Sequence, residues 1–240
     1  VIGYELDMII WLPLAGLMAA GAGLLIAPLA VRLKGLNLAL VSIGIVYIGS
    51  YILSNLNLVT GGAGLGRKTA GYTLFGMNFD NGIEIGTFIL TRNQVLYYLG
   101  LLVALVSGIG VKNLIRSKIG RAYAAIRDRD IAAEAIGINL SRFKASAFAL
   151  SSFYAGIAGA LMFSTIGGVD VERFGLLFSV TFIAIVVIGG VGTVMGPILG
   201  SIFFGLKPGI IKFGIDHSEF IREGIPLNPA QLERVIFGLF

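Results

Sequence analysis

Long apolar runs with no charged residue in their interior constrain this chain more than any other feature. A helix rises about 1.5 Å per residue, so about 20 such residues cross the hydrocarbon core of a bilayer. Charged residues make up only 13% of the chain, against about 25% in soluble domains. We therefore predict an all-α fold, a polytopic transmembrane helix bundle that forms a single membrane domain over residues 1–240. The expected spans are 8–31, 37–56, 95–111, 143–165 and 176–206, and a last span is expected to begin at residue 231.

Positive charge is concentrated between the third and fourth runs. Residues 112–144 contain eight basic and three acidic side chains, so this segment alone carries the chain's net charge of +5. Basic loops of membrane proteins lie on the cytoplasmic side. We predict that 112–142 is a cytoplasmic loop and that 57–94 is an external loop. The basic residues are Lys112, Arg116, Lys118, Arg121, Arg127, Arg129, Arg142 and Lys144, and the acidic ones are Asp128, Asp130 and Glu134.

A short helix is predicted inside this basic loop, over residues 131–136. Asp130 is placed to cap its N-terminus, and Gly137 is placed to end it in a left-handed conformation. Its alanines, Ala133 among them, are small enough to let another protein approach closely beside one acid, Glu134. The alternative interpretation is a solvated loop that only satisfies the charge bias.

Glycines at helical spacing predict close contacts between helices. Gly156 and Gly159 give the fourth run a thin face, and Gly192, Gly196 and Gly200 form two consecutive G-x-x-x-G steps in the fifth. The fifth run is longer than one straight span needs. It therefore forms either two spans or one glycine-rich broken helix, although plain helix packing explains the same glycines.

The remaining segments are predicted to be loops. Residues 207–231 contain mixed charges and prolines, which favour a loop or an interfacial segment, and 75–90 is expected to form a hairpin that turns at Asn81–Gly82. Residues 62–69, GAGLGRKT, suggest a phosphate-binding loop, but Arg67 occupies the position of the second glycine. We therefore predict no ATP site in this segment.

The residue types that carry chemistry argue against an enzyme. The chain has no cysteine and one histidine, His217, so we predict no catalytic residue, no cofactor and no metal site. The apolar runs lack the buried ionisable groups that proton-driven carriers keep. Active transport by such a chain would take its energy from another subunit, which would dock on the basic loop. A stand-alone channel or a secondary carrier remains the alternative, and a membrane enzyme is the weakest reading. The basic pI of 9.6 reflects these loops and predicts no nucleic-acid partner.

Motifs occur in three stretches. Residues 125–161 read AIRDRDIAAEAIGINLSRFKASAFALSSFYAGIAGAL, residues 32–44 read RLKGLNLALVSIG, and residues 189–201 read GGVGTVMGPILGS. Together they resemble the permeases of branched-chain amino acid ABC importers, the LivM type. The resemblance covers most of the chain, and its first two stretches are the more specific ones.

This resemblance implies a permease subunit in the bacterial or archaeal cytoplasmic (inner) membrane, crossing the lipid bilayer several times. It implies a branched-chain amino acid or a related small polar solute, such as another amino acid, urea or an amide. The implied partners are a second permease subunit, two cytoplasmic ATP-binding subunits that hydrolyse ATP, and an extracytoplasmic solute-binding protein. Such permeases usually extend further at both ends, so we expect the full protein to carry additional spans.

Two sets of residues are candidates for function. A transport ATPase must push on the permease through a small rigid element, which we place in the basic loop, and a zwitterionic solute would pass hydroxyl groups on the second run. The ATPase-coupling candidates are Arg127, Asp128, Asp130, Ala133, Glu134, Gly137 and Ile138, and the pathway candidates are Tyr47, Ser50 and Tyr51.

Overall fold

The computed structural model describes residues 7–33, 36–55, 73–74, 77–78, 83–85, 88–167 and 175–217. Within these residues there are eight helices and four short strands. The helices are α1 (Met8–Arg32), α2 (Leu36–Asn55), α3 (Arg92–Arg116), α4 (Lys118–Asp128), α5 (Asp130–Ala135), α6 (Leu140–Ile166), α7 (Leu176–Gly189) and α8 (Met195–His217). The strands are β1 (Thr73–Leu74), β2 (Met77–Asn78), β3 (Ile83–Ile85) and β4 (Phe88–Leu90).

Three helices contain an apolar stretch long enough to cross a membrane. These stretches are Met8–Leu29, Arg92–Arg116 and Leu140–Ile166, with 22, 25 and 27 residues. At about 1.5 Å per residue each exceeds the roughly 30 Å of a hydrocarbon core. The predicted membrane helix bundle is confirmed. The helices of the predicted third and fourth runs are longer than expected, since α3 continues into charged residues at both ends and α6 begins earlier, before Arg142.

Helices α1 and α6 form the main contact, and they run antiparallel. A Cβ atom built on Gly156 of α6 would lie 2.5 Å from the Ala19 Cβ and 2.7 Å from the Ala15 carbonyl oxygen of α1. One turn away, Gly16 of α1 faces the Phe153 ring in the same way. Only small residues allow this approach, because the two backbones touch without intervening side chains. By contrast, no atom of the described residues lies within 4 Å of a Cβ built on Gly159, so this predicted packing glycine does not contribute here.

Helix α3 joins this pair near the start of α1. Met8 and Leu12 of α1 form a buried cluster with Val95 and Leu96 of α3 and with Ala160 of α6. Beside the cluster, the Arg92 guanidinium donates a hydrogen bond of 2.9 Å to the carbonyl oxygen of Ser164. That carbonyl belongs to the last turn of α6, where oxygens lack intrahelical donors and where positive charge is favoured by the helix dipole.

The chain divides into two compact units, residues 1–176 and 177–240. In the second unit α7 and α8 are separated by a turn at 190–194, so the predicted broken helix consists of two helices. Gly196 and Gly200 of α8 lie against the carbonyl groups of Gly190 and Ile185, which a Cβ atom would displace.

Two predictions for this second unit are wrong. Gly192 has a φ of +87° and lies in the turn, so the first G-x-x-x-G step is not helical. Residues 207–217 are helical because α8 continues past its apolar part, so the loop predicted there is wrong, while the alternative of an interfacial segment stays a prediction. Residues 218–231, and the predicted span that begins at residue 231, lie outside the described residues.

The predicted external segment contains two small antiparallel hairpins. β1 pairs with β2, and β3 pairs with β4 through Ile83–Leu90 and Ile85–Phe88. The predicted hairpin at Asn81–Gly82 is wrong among the described strands, since β2 and β3 on either side of it do not pair with each other. Asn81 and Gly82 themselves lie outside the described residues.

Candidate functional site

The basic segment after α3 is mostly helical, and it begins with a sharp bend at Ser117. The Ser117 hydroxyl donates to the Leu114 carbonyl oxygen at 2.6 Å and accepts from the Gly120 N–H at 3.3 Å, so one side chain ends α3 and caps α4. A Cβ on Gly120 would meet the Leu114 and Ile115 carbonyl groups. The bend therefore needs glycine there, and α4 leaves the end of α3 without an intervening loop.

Helix α4 is amphipathic. Ile119 and Ile126 are seven residues apart and so share one face, with Ile126 buried. Lys118 and Arg127 adjoin these isoleucines in sequence, which places them about 100° to either side of that face. Cations at both borders of an apolar face are typical of helices that lie at a membrane surface.

Tyr123 anchors α4 to the beginning of α6. Its hydroxyl lies 2.8 Å from the Ser146 hydroxyl, and its ring meets the Phe143 ring edge to face at a centroid distance of 5.9 Å. Tyr123 and Phe143 also line an open groove with Leu114, Ile119 and Leu150. Helix α4 is thereby held at the level of the first two turns of α6.

The N-terminus of α5 differs from the prediction. Arg129 occupies the N-cap position, and Asp130 is the first residue of the helix. The predicted Asp130 N-cap is wrong because Arg129 holds that position. The Asp130 carboxylate binds the Lys144 ammonium group of α6 at 2.7 Å. The two side chains are 29% and 23% exposed. Asp130 therefore ties α5 directly to a membrane helix.

The C-terminus of α5 is closed by a Schellman motif. The Gly137 N–H donates to the Glu134 carbonyl oxygen at 2.9 Å, and the Ile138 N–H donates to the Ala133 carbonyl oxygen at 3.0 Å. This motif needs a left-handed residue after the helix, and Gly137 has a φ of +89°, as predicted. Asn139 follows at once and caps α6, its side-chain oxygen accepting from the Arg142 N–H at 3.0 Å.

The surface of α5 is different from the predicted alanine face. Ala133 is only 2% exposed and is packed inside the chain, whereas Ile131 and Ile136 are 82% and 75% exposed. Ala132, Glu134 and Ala135 are also exposed. A helix of six residues thus buries one alanine toward its own chain and presents an apolar surface with one acid outward.

The other coupling candidates lie around this helix. Arg127 and Asp128 are exposed in the last turn of α4, one residue before the α5 N-cap, and Ile138 is half-buried in the connection to α6. The structure thus brings all seven candidates together at the junction of α4, α5 and α6. Sequence reasoning missed the partners Lys144 and Tyr123. Their contacts join residues 14 and 23 positions apart, a separation with no helical periodicity to reveal it.

The same end of the first unit carries the C-terminus of α1. An open groove of about 360 Å³ between α1 and α6 is lined at this end by Arg32, Ser141 and Arg142. Because α1 and α3 both run antiparallel to α6, the basic ends of all three helices meet here. Arg32 and the basic segment therefore lie at one end of the first unit.

The pathway candidates share one face of α2, since Tyr47, Ser50 and Tyr51 follow the spacing of a helical turn. Tyr47 and Tyr51 are 62% and 71% exposed, and Ser50 is half-buried. The Tyr51 carbonyl oxygen also accepts a hydrogen bond of 2.8 Å from the Asn55 side chain. This face can line a pathway with elements beyond those described, and its role stays a prediction.

Comparison with known proteins identifies a family profile and several similar permeases. The profile of the family described as "Branched-chain amino acid transport system / permease component" matches residues 1–239. The chain is 32% identical, over 92% of its length, to the high-affinity branched-chain amino acid transport system permease protein LivM of Escherichia coli K12. It is 31% identical, over the same share, to LivM of Salmonella typhimurium. The chain spans 55% of the length of each of these relatives.

A more distant similarity points to the same class of protein. Over 36% of its length the chain is 31% identical to the ribose import permease protein RbsC of Haemophilus influenzae, covering 28% of that protein. No solved structure matches the chain. The profile match over nearly every residue and the identity to two LivM proteins agree with the motifs and with the membrane helices. The chain therefore belongs to the family of permease components of branched-chain amino acid transport systems.

Proposed function

We propose that this chain is the core of a permease subunit of an ABC importer that translocates a branched-chain amino acid or a related small polar solute. The family and the printed names of the LivM relatives support this assignment. The observation that carries it is helix α5, which is fixed at both ends and presents exposed isoleucines beside a basic surface. Contiguous exposed apolar patches mark interaction sites, and we take Ile131, Ile136 and the exposed alanines between them as such a patch.

The partner that fits this surface is a cytoplasmic ATP-binding subunit. Ile131 and Ile136 would enter an apolar groove of that subunit, while Glu134 would accept a hydrogen bond or an ion pair at its rim. Helix α5 cannot move far on its own, because Ala133 is buried and Asp130 is bound to Lys144. A displacement of α5 by the ATPase would therefore be passed to α6 through the ion pair and the short connection at Asn139.

The complete importer would contain four further components besides this subunit. A second permease subunit, two ATP-binding subunits and an extracytoplasmic solute-binding protein are the partners that importers of this class use. The membrane would be the bacterial or archaeal cytoplasmic membrane, with 112–142 inside and 57–94 outside. A zwitterionic solute would pass the hydroxyl groups of Tyr47, Ser50 and Tyr51, and selectivity would reside mainly in the binding protein.

Reconstitution tests this proposal. The full-length permease is placed in proteoliposomes with and without its ATP-binding subunits, binding protein and ATP. We expect uptake of radiolabelled leucine, isoleucine or valine only when every component is present. Uptake by the permease alone down a gradient would instead identify a channel or a secondary carrier.

Cysteines introduced at Lys118 and Thr69 should react with a membrane-impermeant reagent from opposite sides, and labelling of both from outside would overturn the topology.

A further inference from the structure

The groove between α1 and α6 combines two features that belong together in a lipid site. Its walls are apolar, formed by Leu24, Ala27 and Val31 of α1 and by Ala145 of α6. Its end is cationic, since Arg32 and Arg142 line it together with Ser141. No carboxylate lines this groove among the described residues. Two arginines at the mouth of an apolar groove complement an anion that carries an apolar tail.

The position of the groove in the bundle favours the same ligand. The apolar stretch of α1 ends at Leu29, three residues before Arg32, and Arg142 belongs to the first turn of α6. Both arginines therefore stand where a span leaves the hydrocarbon core and meets the lipid headgroups. Basic pockets between transmembrane helices at the cytoplasmic surface bind anionic headgroups. A protein helix in the groove would instead need carboxylates to pair with the two arginines.

The arginines are available for such a ligand. Both are exposed, and no ion pair joins either of them to a carboxylate of the described residues. Arg142 also lines the neighbouring groove beside Tyr123 and Phe143. Arg142 therefore borders two apolar grooves, which suits a phosphate that carries two acyl chains.

We propose that Arg32, Arg142 and Ser141 bind the phosphate of an anionic phospholipid, with an acyl chain in the groove between α1 and α6. The lipid fills a gap between two helices whose backbones otherwise touch only through small residues, and it neutralises part of the positive end of the bundle. This inference depends on the chain lying in a membrane with this end at the headgroups. It does not depend on which solute the permease carries.

Native mass spectrometry of the full-length importer in detergent tests the site. Delipidated complex is titrated with dioleoylphosphatidylglycerol, with dioleoylphosphatidylcholine, or with water-soluble glycerol 3-phosphate. A basic residue at the membrane surface favours an anionic lipid about fivefold, so two arginines predict a preference of about 25-fold for the phosphatidylglycerol. Glycerol 3-phosphate should not compete, because it has no acyl chain for the apolar walls.

Two variants separate the groove from the general charge of this end. The double variant Arg32→Gln/Arg142→Gln should lose the 25-fold preference and bind both lipids alike. The matched control Lys112→Gln/Arg121→Gln removes the same charge from exposed sites outside the groove and should keep it. Ala145→Leu leaves the arginines in place and narrows the groove, so it should weaken the binding of both lipids.

Several outcomes would overturn the site. Equal affinity of the wild-type complex for the two lipids would refute recognition of the anion, and this comparison needs no variant to fold. If the groove variant and the control variant lose the preference for phosphatidylglycerol to the same extent, the preference depends only on the overall charge of this end. Competition by glycerol 3-phosphate would indicate a site for a free phosphate compound. Failure of Ala145→Leu to weaken either lipid would show that another part of the importer covers the groove.

Discussion

The ion pair between Asp130 and Lys144 should transmit movement from α5 to α6, and its removal should uncouple ATP hydrolysis from transport. The Lys144 ammonium group and the Asp130 carboxylate are 2.7 Å apart, and both side chains are about one-quarter exposed. Exposed ion pairs contribute about 0–1 kcal/mol, whereas breaking a buried pair costs about 3–5 kcal/mol. We expect about 1–2 kcal/mol for this partly buried pair.

That free energy sets the size of the functional effect. A change of about 1.4 kcal/mol shifts an equilibrium tenfold. Either Asp130→Asn or Lys144→Met should therefore raise about tenfold the fraction of molecules in which α5 is detached from α6. The ATP-binding subunits would still bind the exposed isoleucines, because these residues are unchanged. ATP hydrolysis should persist, while the number of solute molecules transported per ATP should fall severalfold.

Reconstituted importer provides the assay, with solute uptake and phosphate release measured in the same vesicles. Lys112→Met serves as a control, since Lys112 is exposed on α3, and it should leave the ratio unchanged. The charge-reversed double variant Asp130→Lys/Lys144→Asp should recover part of the coupling that Asp130→Lys and Lys144→Asp each remove on their own. If the double variant is as poor as the sum of its parts, the pair has no interaction free energy and the reasoning is refuted.

Three further pairs of substitutions test the architecture. Gly156→Leu should destabilise the contact of α6 with α1 by about 1–3 kcal/mol through overpacking and lower the melting temperature of the purified complex, whereas Gly159→Leu on the open side should not. Gly137→Val should cost about 1–2 kcal/mol in the left-handed position that ends α5, and Gly137→Asn should cost less; equal loss of coupled transport in both would contradict this. Ala132→Arg, on the exposed side of α5, should reduce copurification of the ATP-binding subunits without changing membrane insertion. Normal copurification would exclude α5 as their docking surface. Ala133→Arg should instead disrupt the chain's own packing, because Ala133 is buried.

The sequence alone was sufficient for the features that depend on local chemistry. The membrane helices follow from uncharged apolar runs, since a charged side chain in the hydrocarbon core costs several kcal/mol wherever the run occurs in the chain. The left-handed Gly137 follows from the same logic, because glycine is the residue that adopts this conformation without strain. The family also follows from motifs that are contiguous in the chain. The ends of α3 and the start of α6 were predicted too close to the apolar runs. Charged residues are unfavourable in the hydrocarbon core but not in a helix that has left it, so these helices continue past the runs.

Only the tertiary structure decided which face of each helix is used. Gly156 and Gly159 are equivalent as sequence, yet α1 packs over the first and leaves the second open. Ala132 and Ala133 are also indistinguishable in the sequence pattern. The orientation of α5 against the rest of the chain buries Ala133 and exposes Ala132. Asp130 had two favourable partners, the first N–H groups of α5 and the ammonium group of Lys144. The fold brings Lys144 within 2.7 Å, which gives the Asp130 carboxylate a partner of opposite charge. Such choices depend on contacts between residues far apart in sequence, which no local pattern contains.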